Sequence, residues 1–160
     1  MPTSQQELAQ ELTVLADAAA SVEDLMSVMV GRLKERMLYF DWVGFYMIEK
    51  GGIGEDPVLV LGPYVGAITP HTRIPLNQGI CGAAASSGHT VIVDDVNADP
   101  RYLACSIATK SEIVVPIFVK GEVVGELDVD SHTPAAFTAD DRQLVEHCAR
   151  LVGIYLEKTT

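Results

Sequence analysis

The feature that most restricts the fold of this 160-residue chain is a pair of apolar runs separated by Lys120 and Gly121. The sequence is SEIVVPIFV over 111–119 and EVVGELDVD over 122–130. β-Branched runs on either side of a glycine turn predict a β-hairpin. Asp is depleted in strand interiors, yet Val129 alone separates two aspartates in the second run. We therefore expect a sheet with acidic side chains gathered on one face.

Two registers of this hairpin distribute the acids differently. A two-residue turn pairs Ile113 with Asp128, which mixes apolar and charged residues on both faces. A three-residue loop over 119–121, with its glycine in the left-handed conformation of a bulge, pairs Glu112 with Asp128 instead. The second register makes one face aliphatic and places Glu112, Asp128 and Asp130 in one patch. We expect this second register for that reason.

Clustered carboxylates repel one another, so at least one of them should have a raised pKa unless a cation is nearby. A substrate that takes up a proton or carries a positive charge would suit such a patch. Two other interpretations stay open at this point. The acids can form a solvated strand face, and oxygen ligands suit Ca²⁺ or Mg²⁺, although the spacing of an EF-hand is absent.

The three cysteines are too few for a disulfide framework, and no CxxC pair suggests zinc, so no metal site is predicted. Cys81 lies at the expected start of a short helix, where the helix dipole should lower the pKa of its thiol. Cys105 falls in a loop, and Cys148 on an apolar helix face. For each alone, a buried structural role is the default. Cys81 and Cys105 together suggest redox chemistry, in which one thiolate is oxidised and the other resolves it as a disulfide.

Apolar periodicity predicts the remaining elements. Helices are expected over 4–19, 22–38, 77–88 and from Thr138 onward, and further strands over 41–49, 58–62 and 90–95. In the strand 41–49, Trp42, Gly44 and Tyr46 share one face, and the glycine should leave space there for an apolar or sulfur-bearing group. The alternative is that both rings are simply core. This order of elements predicts an α+β fold, with 1–160 as a single domain.

Charge and hydropathy exclude several classes of partner. Twenty-two acidic and eleven basic residues give a net charge of −11, which disfavours nucleic acid and anionic membranes. No run approaches the roughly 18 apolar residues of a membrane span, and the N-terminus lacks the features of a signal peptide. We expect a cytoplasmic protein with reduced thiols.

Five stretches together resemble the free methionine-(R)-sulfoxide reductases, which have the GAF fold. They are DWVGFYM, LGPYVG, HTRIPLNQGICGAA, ACSIATKSEIVVPI and GELDVDS. The resemblance extends over about residues 20–157. It implies a six-stranded antiparallel sheet flanked by two N-terminal helices and one C-terminal helix, and a homodimer. It also implies thiol-dependent reduction of free L-methionine-(R)-sulfoxide to methionine with no bound cofactor.

The resemblance also implies roles for individual residues. Cys105 is expected to attack the substrate and become a sulfenic acid, and Cys81 to condense with it as a disulfide. An external dithiol, such as that of thioredoxin, then restores both thiols. His71 stands where many members of the family carry a further cysteine, so this chain resembles a two-cysteine form.

The resemblance also implies that two sets of side chains contact the substrate. The carboxyl groups of Glu112, Asp128 and Asp130 are expected around the ammonium and sulfoxide groups. Trp42 and Tyr46 are expected to enclose the methylthio end. Two alternatives to an enzyme are a GAF module that binds or senses a small molecule without catalysis, and a structural or dimerisation protein.

Overall fold

The computed structural model describes residues 1–102 and 108–159. The helices are α1 (Ser4–Ala18), α2 (Val22–Arg36), α3 (Gly79–Ser87) and α4 (Ala139–Lys158), and a 3₁₀ turn spans Val96–Ala98. The strands are β1 (Trp42–Glu49), β2 (Val58–Val65), β3 (Arg73–Pro75), β4 (Val91–Val93), β5 (Ser111–Val119) and β6 (Glu122–Ser131). These elements give the α+β architecture that the sequence predicts. No helix of the described residues is long and apolar enough to cross a membrane.

Side-chain caps fix where three of the helices begin. The Thr3 side chain accepts a hydrogen bond from the backbone N–H of Gln6, and the Gln6 side chain accepts one from the backbone N–H of Thr3. Ser21 caps α2, as predicted, by accepting a hydrogen bond from the backbone N–H of Asp24. Thr138 and Asp141 form the predicted capping box of α4. Such caps satisfy N–H groups that the first helical turn leaves without partners.

The six strands form one antiparallel sheet in the order β3-β2-β1-β6-β5-β4. Five of them follow from residue patterns. β3 was missed by that reasoning because three residues are too few to show an alternation. β2 also runs to Val65, beyond the predicted end at 62, because its pairing with β1 shifts between Gly44 and Tyr46. That irregularity accommodates Pro63, which has no N–H to contribute to a regular ladder.

The sheet is covered on both faces. On one face, α1, α2 and α4 pack over the larger apolar core, which includes Phe45, Ile113 and Leu127. On the other, α3 packs over a smaller core that includes Trp42 and Tyr46. Successive residues of a strand point to opposite faces. The acids of β5 and β6 alternate along the strands with residues of the larger core, so the acids lie on the α3 face.

The register of the β5–β6 hairpin differs from the predicted one. Lys120 and Gly121 both have positive φ, 51° and 81°, and form a two-residue turn that pairs Val119 with Glu122. Left-handed values at both central residues suit a type I′ turn, whose twist matches that of the strands. A bulge then shifts the pairing between Ile117 and Phe118, so the predicted loop over 119–121 was wrong.

The consequence is that Glu112 faces Asp130, not Asp128 as expected. The expected and the observed partners of Glu112 are two residues apart. Because side chains alternate between the faces of a strand with a period of two, this shift leaves every side chain on its predicted face. The prediction of one aliphatic and one acidic face is therefore confirmed, although the pairing used to argue it was not.

Candidate active site

Three rows of opposing residues cross β1, β6 and β5 on the face that α3 covers. The rows are Trp42–Asp130–Glu112, Gly44–Asp128–Val114 and Tyr46–Glu126–Pro116. Each acid of β6 thus has one of the three predicted β1 positions on one side and a β5 residue on the other. The sheet brings the predicted acids and the predicted aromatic residues together at one site.

The four carboxyl groups of this site are buried. The exposed fractions are 5% for Glu112, 0% for Glu126, 2% for Asp128 and 3% for Asp130. The ion pairs among the described residues include none of them. A solvated strand face, the simplest interpretation of these acids, is therefore wrong.

Burial raises the pKa of all four carboxyl groups above their ordinary values. For Glu112, the neighbouring charges of Asp128 and Asp130 raise the pKa further. Desolvation and like charge both favour the neutral acid. The site can therefore hold carboxylic acids that donate a proton at a pH where an exposed carboxyl is ionised.

Several oxygens of the cluster lack a donor. Oε1 and Oε2 of Glu126, Oδ1 of Asp128 and Oδ1 of Asp130 are buried and make no hydrogen bond of standard geometry within the described residues. Burying a polar atom without a hydrogen-bond partner costs free energy. Binding of a ligand or of protons would offset that cost in this cluster. Glu126 was not among the predicted site residues, although its spacing of two from Asp128 was a sufficient signal.

Cys81 lies in the first turn of α3 and reaches this cluster from above the sheet. Its thiol donates a hydrogen bond to Asp128, with 3.4 Å between Sγ and Oδ2. Burial raises the pKa of the Cys81 thiol, and the charges of Asp128, Glu126 and Glu112 raise it further. The expectation that the helix dipole lowers this pKa was wrong, because desolvation and nearby acids oppose the thiolate more strongly.

The aromatic residues do not leave the gap that Gly44 was expected to provide. The Trp42 indole lies over this glycine, and a Cβ atom on Gly44 would stand 2.4 Å from Trp42 Cη2. Trp42 stacks on Tyr46 and on Tyr64, with ring centroids 6.2 and 5.5 Å apart. The glycine therefore gives room to the tryptophan itself.

The same two aromatic side chains hold the segment between β2 and β3, which we call the 66–72 loop. Trp42 Nε1 donates to the carbonyl of Ala67 at 3.1 Å, and the Tyr46 hydroxyl donates to the carbonyl of His71 at 2.7 Å. Trp42 and Tyr46 are thus buried core residues and also anchors of a loop that borders the acids.

Two small cavities lie at the site. One, of about 20 Å³, is lined by Tyr46, His71, Ile74, Gly79, Ile80, Cys81, Glu112 and Asp128. The second, of about 90 Å³, is lined by residues that include Trp42, Thr69 and Asp130. The first has room for little more than one water molecule. His71, which the resemblance places where many members of the family carry a further cysteine, borders the same cavity as Cys81.

Of the other two cysteines, the structure describes only Cys148. Cys105, the predicted nucleophile, is outside the described residues. Cys148 is fully buried in the larger core, and burial raises the pKa of its thiol. The prediction that Cys148 is a core residue is confirmed.

Sequence comparison assigns the fold to a family. The family model described as the GAF domain matches residues 8–156. The chain belongs to the GAF domain family. The six-stranded antiparallel sheet with flanking helices is the GAF fold, as the resemblance implied.

Comparison with individual relatives gives more specific information than the match to the family model. Free methionine-R-sulfoxide reductase of Escherichia coli is 40% identical over 111 residues, which are 69% of this chain and 63% of that protein. The enzyme of the same name from Saccharomyces cerevisiae is 39% identical over 114 residues, 71% of this chain and 61% of that protein. The alignments thus span less than two thirds of these relatives.

Among solved structures, free methionine-R-sulfoxide reductase from Neisseria meningitidis, in complex with its substrate, matches with a TM-score of 0.87 and 34% identity. That match covers 96% of this chain and 88% of the other. The resemblance seen in the sequence motifs is therefore confirmed at the level of whole-chain similarity.

Proposed function

We propose that this GAF domain reduces free L-methionine-(R)-sulfoxide to methionine, with Cys105 as the nucleophile and Cys81 as the resolving thiol. The observation that carries the proposal is the buried cluster of four carboxyl groups, one of which, Asp128, accepts a hydrogen bond from the Cys81 thiol. The similarity to enzymes named for this reaction supports it. A domain used only for dimerisation has no need to bury acids without donors.

The acids suit both ends of a zwitterionic substrate with a polar sulfoxide. An ionised carboxylate pairs with the ammonium group of the free amino acid. A carboxylic acid kept neutral by burial, as at Glu112, donates a proton to the sulfoxide oxygen while the sulfur is attacked. Two different protonation states within one cluster therefore serve two different tasks.

The first chemical step transfers oxygen from one sulfur to the other. The Cys105 thiolate attacks the sulfoxide sulfur, the S–O bond of the substrate breaks, and the oxygen ends on Cys105 as a sulfenic acid. Methionine leaves as the reduced thioether. Written from the thiolate, this step consumes one proton, which the carboxyl cluster gives to the sulfoxide oxygen and which ends on the sulfenic acid. The substrate sulfur is reduced by two electrons, and the Cys105 sulfur is oxidised by two.

The second step regenerates the enzyme. The Cys81 thiol condenses with the sulfenic acid, forms a disulfide and releases water. Asp128 already accepts the hydrogen bond of this thiol and takes its proton as sulfur bonds to sulfur, and a proton returned to the departing hydroxide completes the water. An external dithiol, which we propose to be thioredoxin, then reduces the disulfide. No resident cofactor is needed.

Substrate binding requires the site to open. A cavity of about 20 Å³ at Cys81 and Glu112 is far below the roughly 300 Å³ at which ligand pockets begin. The 66–72 loop is the bordering segment held by two side-chain hydrogen bonds. We propose that the substrate displaces this loop and that Trp42 and Tyr46 then contact its methylthio end.

The experiment is an assay of purified protein with each diastereomer of free methionine sulfoxide, a dithiol reductant and chromatographic detection of methionine. We expect turnover of the (R) form of the free amino acid. Glu122→Gln, which changes an exposed acid of β6 next to the turn, should retain the rate. A protein that binds the amino acid but never releases methionine would be a sensor, and the proposal would be wrong.

A further inference from the structure

We propose that Cys81, Glu112 and Asp128 form an inhibitory Zn²⁺ site. One ligand atom from each of these buried side chains lies within 4.8 Å of the other two. All three side chains line the cavity of about 20 Å³, which is large enough for a single ion or water molecule. The inference concerns the same site as the proposed function, and its inhibitory part rests on that function.

The geometry is close to that of a zinc centre. Around a tetrahedral Zn²⁺ with sulfur at about 2.3 Å and carboxylate oxygen at about 2.1 Å, the two ligand atoms stand about 3.6 Å apart. In this structure Cys81 Sγ and Asp128 Oδ2 are 3.4 Å apart. This pair of ligand atoms therefore already has nearly the spacing that the ion requires, and the Glu112 oxygen lies within 4.8 Å of both.

A second observation points to a cation. Asp128 is 2% exposed, and its Oδ1 atom makes no hydrogen bond of standard geometry within the described residues. Glu126 and Asp130 add buried carboxyl groups beside the three ligands, and the ion pairs of the described residues provide no cation for any of them. An ion of charge +2 would offset the repulsion that the cluster otherwise relieves by holding protons.

The ligand types select zinc over the hard cations. Ca²⁺ and Mg²⁺ take oxygen ligands almost exclusively, whereas a thiolate with carboxylates suits Zn²⁺. Binding displaces the thiol proton of Cys81 and forms a sulfur–zinc bond, with no change of oxidation state. The bound thiolate can no longer condense with a sulfenic acid, and the occupied carboxylates can no longer hold the substrate.

The test measures metal binding without substrate, so it is independent of the reductase assignment. Reduced protein is dialysed anaerobically against ZnCl₂ and the bound metal is counted, and Co²⁺ is used in parallel to detect a sulfur-to-metal absorption band. We expect one ion per chain. Cys81→Ser should abolish the band, and Asp128→Asn and Glu112→Gln should each weaken binding about tenfold or more, as loss of one ligand does.

Matched controls separate this site from general thiol or acid binding. Cys148→Ala and Glu122→Gln should retain the ion, and so should Cys105→Ser, since three ligands are already in place. Undiminished binding in Cys81→Ser, or loss of the ion in Cys105→Ser, would overturn the assignment. Full reductase activity with the ion bound would overturn the inhibitory role, whereas a protein with no reductase activity that still binds zinc would contradict only the proposed function.

Discussion

The Cys81 thiol and the Asp128 carboxyl are joined by a hydrogen bond of 3.4 Å beneath the first turn of α3. The thiol belongs to a helix and the acid to the central strand β6, so the bond links the two layers of the site. Because burial raises the pKa of both groups, the proton that they share is retained near neutral pH. In the proposed recycling step, disulfide formation at Cys81 would therefore depend on a partner that can accept this proton.

The first prediction follows from that dependence. In Asp128→Asn the side chain keeps its size but loses the base, so closure of the disulfide should slow by about 100-fold, the lower end of what proton transfer by a positioned group contributes. Stopped-time alkylation of free thiols after a single turnover measures that step. Glu122→Gln is the control. Closure at the unaltered rate in Asp128→Asn would remove Asp128 from the recycling step.

The second prediction concerns the remaining acids of the cluster. Glu112→Gln and Asp130→Asn should each lower kcat/KM by about 100-fold or more, since each removes a proton donor or a partner of the substrate ammonium. Circular dichroism and thermal unfolding should show that both variants fold. Rates close to the unaltered protein in both variants would mean that the cluster does not act on the substrate.

The third prediction concerns pH and stability. Burial raises the folded-state pKa of Glu126 well above its ordinary value, so the folded protein holds a proton that the unfolded chain releases near pH 4–5. The free energy of unfolding therefore falls as pH rises above about 4–5, by up to about 1.4 kcal/mol per pH unit for one proton. Glu126→Gln should flatten this loss above about pH 5.

Urea unfolding of both proteins across that range provides the measurement. The difference in unfolding free energy should favour the variant increasingly as pH rises. Glu122→Gln, at an exposed position of the same strand, should leave the slope unchanged. A wild-type slope in Glu126→Gln would show that Glu126 ionises in the folded protein as it does in the unfolded chain.

The fourth prediction tests the packing of Trp42 over Gly44. In Gly44→Ala, the new Cβ would meet the indole at 2.4 Å and Tyr64 Cβ at 2.8 Å. Overpacking of this kind costs about 1–3 kcal/mol, and the displaced indole should also weaken its hydrogen bond to the 66–72 loop. Gly31→Ala is the matched control. Its Cβ meets nothing within 4 Å, and in the interior of α2 it should stabilise the protein by about 0.5–1 kcal/mol.

The fifth prediction concerns the anchoring of the 66–72 loop. Tyr46→Phe removes the hydrogen bond to the His71 carbonyl, at a cost of about 1 kcal/mol. Amide hydrogen exchange in the loop should accelerate, while the core strands keep their protection. Tyr64→Phe is the control, because the Tyr64 hydroxyl makes no hydrogen bond within the described part of the chain. Unchanged exchange in Tyr46→Phe would show that other contacts hold the loop.

Much of this structure is predictable because strand alternation is a local signal. The face shared by Glu112, Asp128 and Asp130 follows from a period of two. The pairing of Glu112 with Asp130 does not follow from this period, because it depends on a bulge in β6 that the residue pattern did not predict. Alternation also placed Trp42 and Tyr46 on one face of β1, but it could not show that this is the face of the acids or that the indole would fill the space over a glycine.

The pKa of Cys81 shows a different limit. Its place at a helix N-terminus is visible in the sequence, and that place alone favours a thiolate. The opposing contributions come from acids 31 to 47 positions away in the chain, from Glu112 to Asp128, and from burial. Only the packing of α3 onto the sheet brings these groups together, so the sign of the shift is a property of the tertiary structure.

The most direct test of the account follows the two proposed thiols through one turnover. Reduced protein is mixed with free L-methionine-(R)-sulfoxide without reductant, methionine is quantified, and peptide mapping locates the disulfide. We predict about one methionine per chain, an intramolecular Cys81–Cys105 bond and a free Cys148 thiol. Cys81→Ser should release the same methionine but stall with thioredoxin, whereas Cys105→Ser should release none. Methionine release by Cys105→Ser, or a disulfide that includes Cys148, would contradict the account.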